Sequence, residues 1–156
     1  MRRKDREIVG VDNFSNIAKE GDVLLLAFNG DEFPYILPLN YGCELKDNTL
    51  FLYFHSALEG NKYNYLYDGA NISFEIDCKH ELVVNDKNKC SLSMKYKSII
   101  GKGTIKELKT KDEIIPALDL IVSQYLVSNA PYNDAILNKT RVFQIQTFDI
   151  IGKAQV

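Results

Sequence analysis

The sequence predicts a mainly β (α+β) fold: an antiparallel barrel or strongly curved sheet of about six strands, with two or three helices packed outside. Three observations carry that expectation. Apolar stretches of strand character at 23–28, 34–41, 49–54, 72–76, 91–108 and 142–150 are joined mainly by short links. Asn29-Gly30 sits between two of them, the strongest short-range signal for a hairpin. Helical patterns do not alternate with the strands, which argues against a doubly wound parallel sheet.

Each element has its own signals. Asp12 is placed to cap a short helix with Phe14, Ile17 and Ala18 on one face, and Gly21 to close it. The run 23–28 is the first strand. The run 34–41 is its hairpin partner, and Pro34 and Pro38 mark it as an edge, a bulge or a place where pairing is interrupted. Lys46-Asp47-Asn48 turns the chain into the strand 49–54. Residues 59–67 read as a short helix ended by Asp68-Gly69, and 72–76 as the fourth strand. Residues 80–89 are a charged excursion expected in a surface loop. The alternation of 91–108 gives a long strand bent near Gly101 and Gly103. Thr110-x-x-Glu113 has the form of a capping box ahead of a helix presenting Ile114, Leu118, Ile121, Val122 and Tyr125. Pro116 is expected to kink its first turns or push the regular helix later, and Pro131 to lie in a loop.

Composition narrows the function. The 156 residues suit one domain, 1–156, with no internal repeat or linker. A net charge of −2 argues against nucleic acid or a membrane surface as a partner held by charge. No apolar run approaches the roughly 20 residues of a membrane span. The basic start, Met1-Arg2-Arg3-Lys4-Asp5-Arg6, leads into no apolar signal core, so a cytoplasmic location is expected. Three cysteines, Cys43, Cys78 and Cys90, fit a reducing compartment. Cys78-x-His80 followed by Cys90 matches no common zinc spacing, and no metal is expected.

The most pointed local pattern is Leu52-Tyr53-Phe54-His55-Ser56-Ala57-Leu58-Glu59-Gly60-Asn61-Lys62. An apolar strand stops at a histidine, and a hydroxyl, a glycine and a lysine follow. A strand end leading into a helix start can hold an anion, because first-turn N–H groups are free and the dipole favours negative charge. Ser56, His55 and Lys62 would add a hydroxyl, a ring N–H and a full charge. The competing reading makes Ser56 a cap, Lys62 solvated and His55 a half-buried strand end. Gly101-Lys102-Gly103 lacks the third glycine and the setting of a dinucleotide fingerprint, so it reads as a strand bend. No G-x-S-x-G is present. Nine tyrosines and eight phenylalanines suit a core with an apolar ligand slot.

The order of these pieces resembles the flavin-binding split β-barrel proteins related to pyridoxamine 5′-phosphate oxidase, and within them the nitroimidazole-resistance branch. The residues that carry the resemblance are 1–8, Pro34-Tyr35-Ile36-Leu37-Pro38-Leu39-Asn40-Tyr41-Gly42, the Leu52 to Lys62 segment, Tyr96-Lys97-Ser98-Ile99-Ile100-Gly101-Lys102-Gly103, and Ile151-Gly152-Lys153-Ala154. The resemblance implies a six-stranded split barrel holding FMN at a homodimer interface. Lys62 matches the family lysine on the flavin phosphate, and His55 and Ser56 the polar pair after the third strand. Pro38, Asn40 and Tyr41 match the strand along the isoalloxazine ring, partly through backbone groups. Ser98 matches a polar cofactor contact on the long strand. The oxidase's arginine-rich clamp is not matched; the last segment offers Arg141 and Lys153, which argues against vitamin oxidation. The expected activity is FMN-dependent reduction of a small electron-poor substrate, such as a nitroaromatic, with electrons from a reduced nicotinamide or another donor that docks transiently. The alternative is a non-catalytic flavin- or haem-binding protein on the same barrel; a deazaflavin cofactor is a third reading.

Overall fold

A computed structural model describes residues 3–84, 92–126 and 130–156. Eight strands make one antiparallel sheet: β1 (Glu7–Ile8), β2 (Leu24–Phe28), β3 (Tyr35–Leu39), β4 (Gly42–Lys46), β5 (Thr49–Ala57), β6 (Asn71–Val83), β7 (Ser93–Leu108) and β8 (Thr140–Gln155). Their order is β3-β2-β6-β7-β8-β5-β4, with β1 paired to β8 off this path. The helices are α1 (Val11–Glu20), α2 (Lys111–Tyr125) and α3 (Asp134–Leu137). The class is the one the sequence predicts; the strand count is eight rather than six. The two extra strands are β1, only two residues long, and β4, which follows β3 after a corner at Asn40 and Tyr41.

Alternation explains the core. Leu24, Leu26 and Phe28 of β2, Leu50, Leu52 and Phe54 of β5, Ile72, Phe74 and Ile76 of β6, and Phe143 and Ile145 of β8 all turn inward. On β7 the inward row runs through Ile99 and Ile105, with two glycines between them. A Cβ on Gly101 would stand 2.6 Å from the Phe74 ring, and one on Gly103 2.4 Å from Ile145. The neighbours' side chains take the space those two positions leave. Opposite Gly101, β8 carries a bulge in which Asp149 has φ 51°. A second bulge, at Lys79 (φ 59°), interrupts β6 between Cys78 and Glu81.

The helices cover different faces. Ile17 and Ala18 of α1 join the inner core beside Tyr41, Cys43 and Ile76, so the helix spans β4 and β6, which share no ladder. Outside, Ala117, Leu118 and Ile121 of α2 cover Tyr53, Leu108 and Val142. Gln124 ties the two helices together. Its side-chain amide donates to the carbonyls of Ala18 (3.1 Å), Lys19 (3.2 Å) and Gly21 (2.8 Å), groups that a helix C-terminus leaves without intrahelical partners.

Several local expectations need correction. Gly10, not Asp12, is the N-cap of α1; Asp12 lies in the first turn, while Gly21 does close the helix by donating to Ile17 O (3.1 Å). The hairpin expected at Asn29-Gly30 forms through a six-residue link, 29–34. Phe28 and Tyr35 are the last paired residues there. Pro116 sits inside α2 without ending it, and Glu113 accepts from the backbone N–H of Lys109 and Thr110 at its start. Residues 59–67 form only one 3-10 turn, Asn61–Asn64. Gly60 enters it at φ 132°, and Tyr65 leaves it to stack on Tyr35 with centroids 5.0 Å apart. His80 lies in β6, which runs to Val83; residues 85–89 of the expected charged loop, with Cys90 and Ser91, fall outside the described residues.

Candidate functional site

The seven residues singled out in the sequence fall into three places. The alternation of β5 sends Ser56 to the inner face, where it is buried, and His55 to the outer face, where it is exposed. His55 faces outward beside Val142, its cross-strand partner. Surrounding protein still displaces enough water to lower its pKa. Lys62 sits on the 3-10 turn at the end of the barrel interior. Its Nζ donates to Glu59 O at 2.6 Å and lies 4.9 Å from the Tyr63 ring centroid.

The structure adds a partner there. Ser56 pairs in register with Arg141 of β8, whose guanidinium lies 4.1 Å from the centroid of the same Tyr63 ring. Arg141 Nε and Nη2 donate to the Glu107 carboxylate at 2.7 and 2.8 Å. This fork fixes the guanidinium and holds Glu107 below the usual carboxylate pKa. Lys62, Ser56 and Arg141 thus share one ring's neighbourhood at the barrel mouth, two cations and a hydroxyl. Arg141 could not be placed there from sequence: it lies far from Lys62 along the chain, and only the β5–β8 register joins them.

The lowered pKa of Glu107 gives a pH prediction. Glu107→Gln removes a charge-assisted fork, so the variant should melt below the wild type above the normal carboxylate range, about pH 4.3. The deficit should shrink as pH falls through the lowered folded-state pKa, where wild-type Glu107 also becomes neutral. Thermal melts across pH 2 to 7 check it; a pH-independent gap would mean the pair contributes only packing.

Pro38 and Ser98 lie elsewhere, on the outer face of the sheet. Register places Pro38, Leu25, Glu75, Ile100 and Ile151 in one row across β3, β2, β6, β7 and β8. Ser98 is in the next row, between Asp77 and Lys153. Pro38 and Ser98 are on strands three spacings apart, about 14 Å. This face carries Ile36 (61% exposed), Ile151 (57%), Ile100 (53%) and Phe148 (45%). The proline-bearing strand β3 ends the sheet path, as its prolines suggest.

Asn40 and Tyr41 form the corner between β3 and β4. Asn40 is exposed. Tyr41 is fully buried; its hydroxyl donates to Ala18 O and its N–H donates to the Tyr125 hydroxyl at 2.9 Å. Both of its donors are therefore committed within the chain, and burial pushes the phenol's pKa up. Four surface clefts, of about 600, 580, 390 and 290 Å³, include none of the seven residues in their linings. Among the described residues no group of three or more His, Cys, Asp or Glu side chains could hold a metal ion; Cys90 lies outside them. No helix among them is long and apolar enough to cross a membrane.

Comparison with known proteins identifies the fold family. The profile of the pyridoxamine 5′-phosphate oxidase family matches residues 12–154. The chain belongs to that family. Among solved structures it is similar to a candidate 5-nitroimidazole antibiotic resistance protein from Bacteroides thetaiotaomicron. Identity is 27%, coverage 94% of this chain and 85% of that one, and the TM-score 0.78. That likeness supports the nitroimidazole-resistance branch of the pyridoxamine 5′-phosphate oxidase family. Two further structures share the fold. The flavocytochrome Anf3 from Azotobacter vinelandii has a TM-score of 0.80 at 12% identity, over 100% of this chain and 72% of that one. The FAD and haem binding protein from Mycobacterium smegmatis has a TM-score of 0.80 at 15% identity, over 96% and 73%. Among curated protein sequences none matches.

Proposed function

We propose that this member of the pyridoxamine 5′-phosphate oxidase family is an FMN-dependent reductase of a small electron-poor substrate, such as a nitroaromatic, working in the cytoplasm as a homodimer. The observation that carries the reading is the likeness to the Bacteroides thetaiotaomicron protein over 94% of the chain. The barrel mouth fits the cofactor's phosphate: Lys62 and Ser56 would hold it, and Arg141 adds a second, pre-oriented cation. The outer face would offer the ring apolar side chains around Pro38 and Ile100, with Ser98 as a polar edge. When bound, FMN supplies the electron transfer; the chain binds it, orients it and excludes water. No acid–base pair is required, which agrees with the absence of one in the sequence reading.

The test is the ligand and then the reaction. Mass spectrometry of the copurified ligand should return FMN. The loaded protein, reduced by a nicotinamide donor without oxygen, should then be reoxidised by a nitroaromatic. A Soret band in place of flavin absorbance would move the protein to the haem-binding reading. Stable flavin with no turnover would make it a carrier.

Assembly is a separate expectation. The outer-face rows expose Ile36, Ile100, Ile151 and Phe148 together, an apolar surface of the kind a partner covers. Of the expected site residues, Pro38 and Ser98 lie on that face and Ser56 and Lys62 at the barrel mouth, as they would if two chains completed each site. A two-fold interface would repeat every contact and build two sites at once. It should bury well over about 2,000 Å² in total. Light scattering at low micromolar concentration should give a dimer; a monomer that still holds FMN stoichiometrically defeats the shared site.

A further inference from the structure

One cleft stands apart from every residue discussed as a flavin contact. It has a volume of about 390 Å³ and lies where the β2–β3 link meets the start of β6 and the 3-10 turn. Phe28 backs it, and Asn29, Asp31, Asn64, Tyr67 and Asn71 line it. Among the described residues, the side chains of Asn29, Asp31 and Asn64 make no hydrogen bond or ion pair. Tyr67 is 58% exposed. Asn64 and Lys62 belong to the same 3-10 turn.

We infer that this cleft binds the adenosine half of a nucleotide. The inference rests on the placement of a phosphate at Lys62 in the proposed function, because that puts the cleft beside the end of the phosphate site. The chemistry fits. Exposed aromatic faces stack bases without regard to sequence. An asparagine amide presents the donor–acceptor pair that adenine's N6 and N7 complement. A carboxylate such as Asp31 accepts from ribose hydroxyls, as acidic residues do in dinucleotide sites. The volume lies at the small end of ligand clefts, about 300–1,000 Å³, enough for a nucleoside and too little for a whole dinucleotide. Two molecules could bring that adenosine: FAD as the resident flavin, or a nicotinamide dinucleotide as the electron donor.

The test titrates the purified protein with adenosine and with AMP, following backbone amide shifts by NMR. Saturable binding is expected, with shifts at Asn29, Asn64 and Tyr67. Tyr67→Ala should weaken it about tenfold, and Asp31→Ala should weaken it too. Both side chains sit at the surface, so the variants should fold; their melting temperatures check this. No saturable binding, or binding unchanged in folded Tyr67→Ala, overturns the inference. Lys62→Ala separates the two readings: it should weaken FMN but leave phosphate-free adenosine bound. Adenosine binding with Lys62→Ala harmless to FMN would sink the phosphate placement alone. The source follows from Tyr67→Ala: a fallen FAD-to-FMN affinity ratio points to the cofactor, and a raised KM for the nicotinamide donor with that ratio unchanged points to the donor.

Discussion

Replacing Lys62 with alanine should weaken FMN binding about 10- to 150-fold. A hydrogen bond to a charged group contributes roughly 1.5–3 kcal/mol, and each 1.4 kcal/mol is a factor of ten in affinity. Lys62 is well placed for this. It stands on a turn entered by Gly60, where the backbone runs at φ 132°, and among the described residues its ammonium is held by one carbonyl and one ring. Lys62→Arg should do less harm, though a planar fork is a poor substitute for a point charge. Arg141 remains in the alanine variant, so some binding should survive. Fluorescence titration of the apoprotein with FMN measures the loss; unchanged affinity would take Lys62 out of the phosphate site.

Gly42→Ala should destabilise the fold by several kcal/mol. A Cβ at Gly42 would lie 2.3 Å from the Leu120 carbonyl carbon and 2.5 Å from Ile121 N. These are backbone atoms of α2, so no side-chain rotation can relieve the overlap. Either α2 shifts off β4 or the corner after β3 moves, and both disturb the Tyr125 hydroxyl bonds to Tyr41 N and Asp22 O. Overpacking of this kind costs about 1–3 kcal/mol or more. In a chain this size each kcal/mol moves the melting temperature by about 2–4 °C, so a drop near 10 °C is expected. Leu58→Ala, at an exposed position, is the control and should change little. An alanine variant that melts with the wild type would show that the helix approaches the strand less closely.

These two residues mark where the sequence was legible and where it was not. Gly60 and Lys62 belong to a local pattern, and its residue types suggested an anion site before any coordinates. Gly42 gave no signal, because its neighbour is a helix backbone some eighty positions later. The same division holds for the fold. Strands β2 and β7, the edge position of β3 and the start of α2 follow from alternation, prolines and a capping box. The break between β3 and β4 was hidden. The strand-like run reads on through Asn40 to Tyr41, and what turns the chain is Tyr41 reaching inward to Ala18. The length of β8 was hidden too, because the bulge at Asp149 shifts its alternation by one residue. The spacing of Tyr63 and Leu66 suits a helix as well as the 3-10 turn that forms. At the site, Arg141 and Glu107 depended on cross-strand register, which residue types do not encode.

The pairing of β1 with β8 bears on the order in which the chain can be assembled. Glu7 lies opposite Lys153, and Ile8 opposite Gly152. At the end of α1 the carbonyls of Lys19 and Gly21 wait for Gln124, while that of Ala18 also accepts from Tyr41. During synthesis β1 therefore has no ladder partner until β8 has emerged. The meander of β6, β7 and β8 closes far shorter loops and loses less chain entropy per contact. The opening segment is thus a latch, able to engage only after the barrel it fastens has been translated.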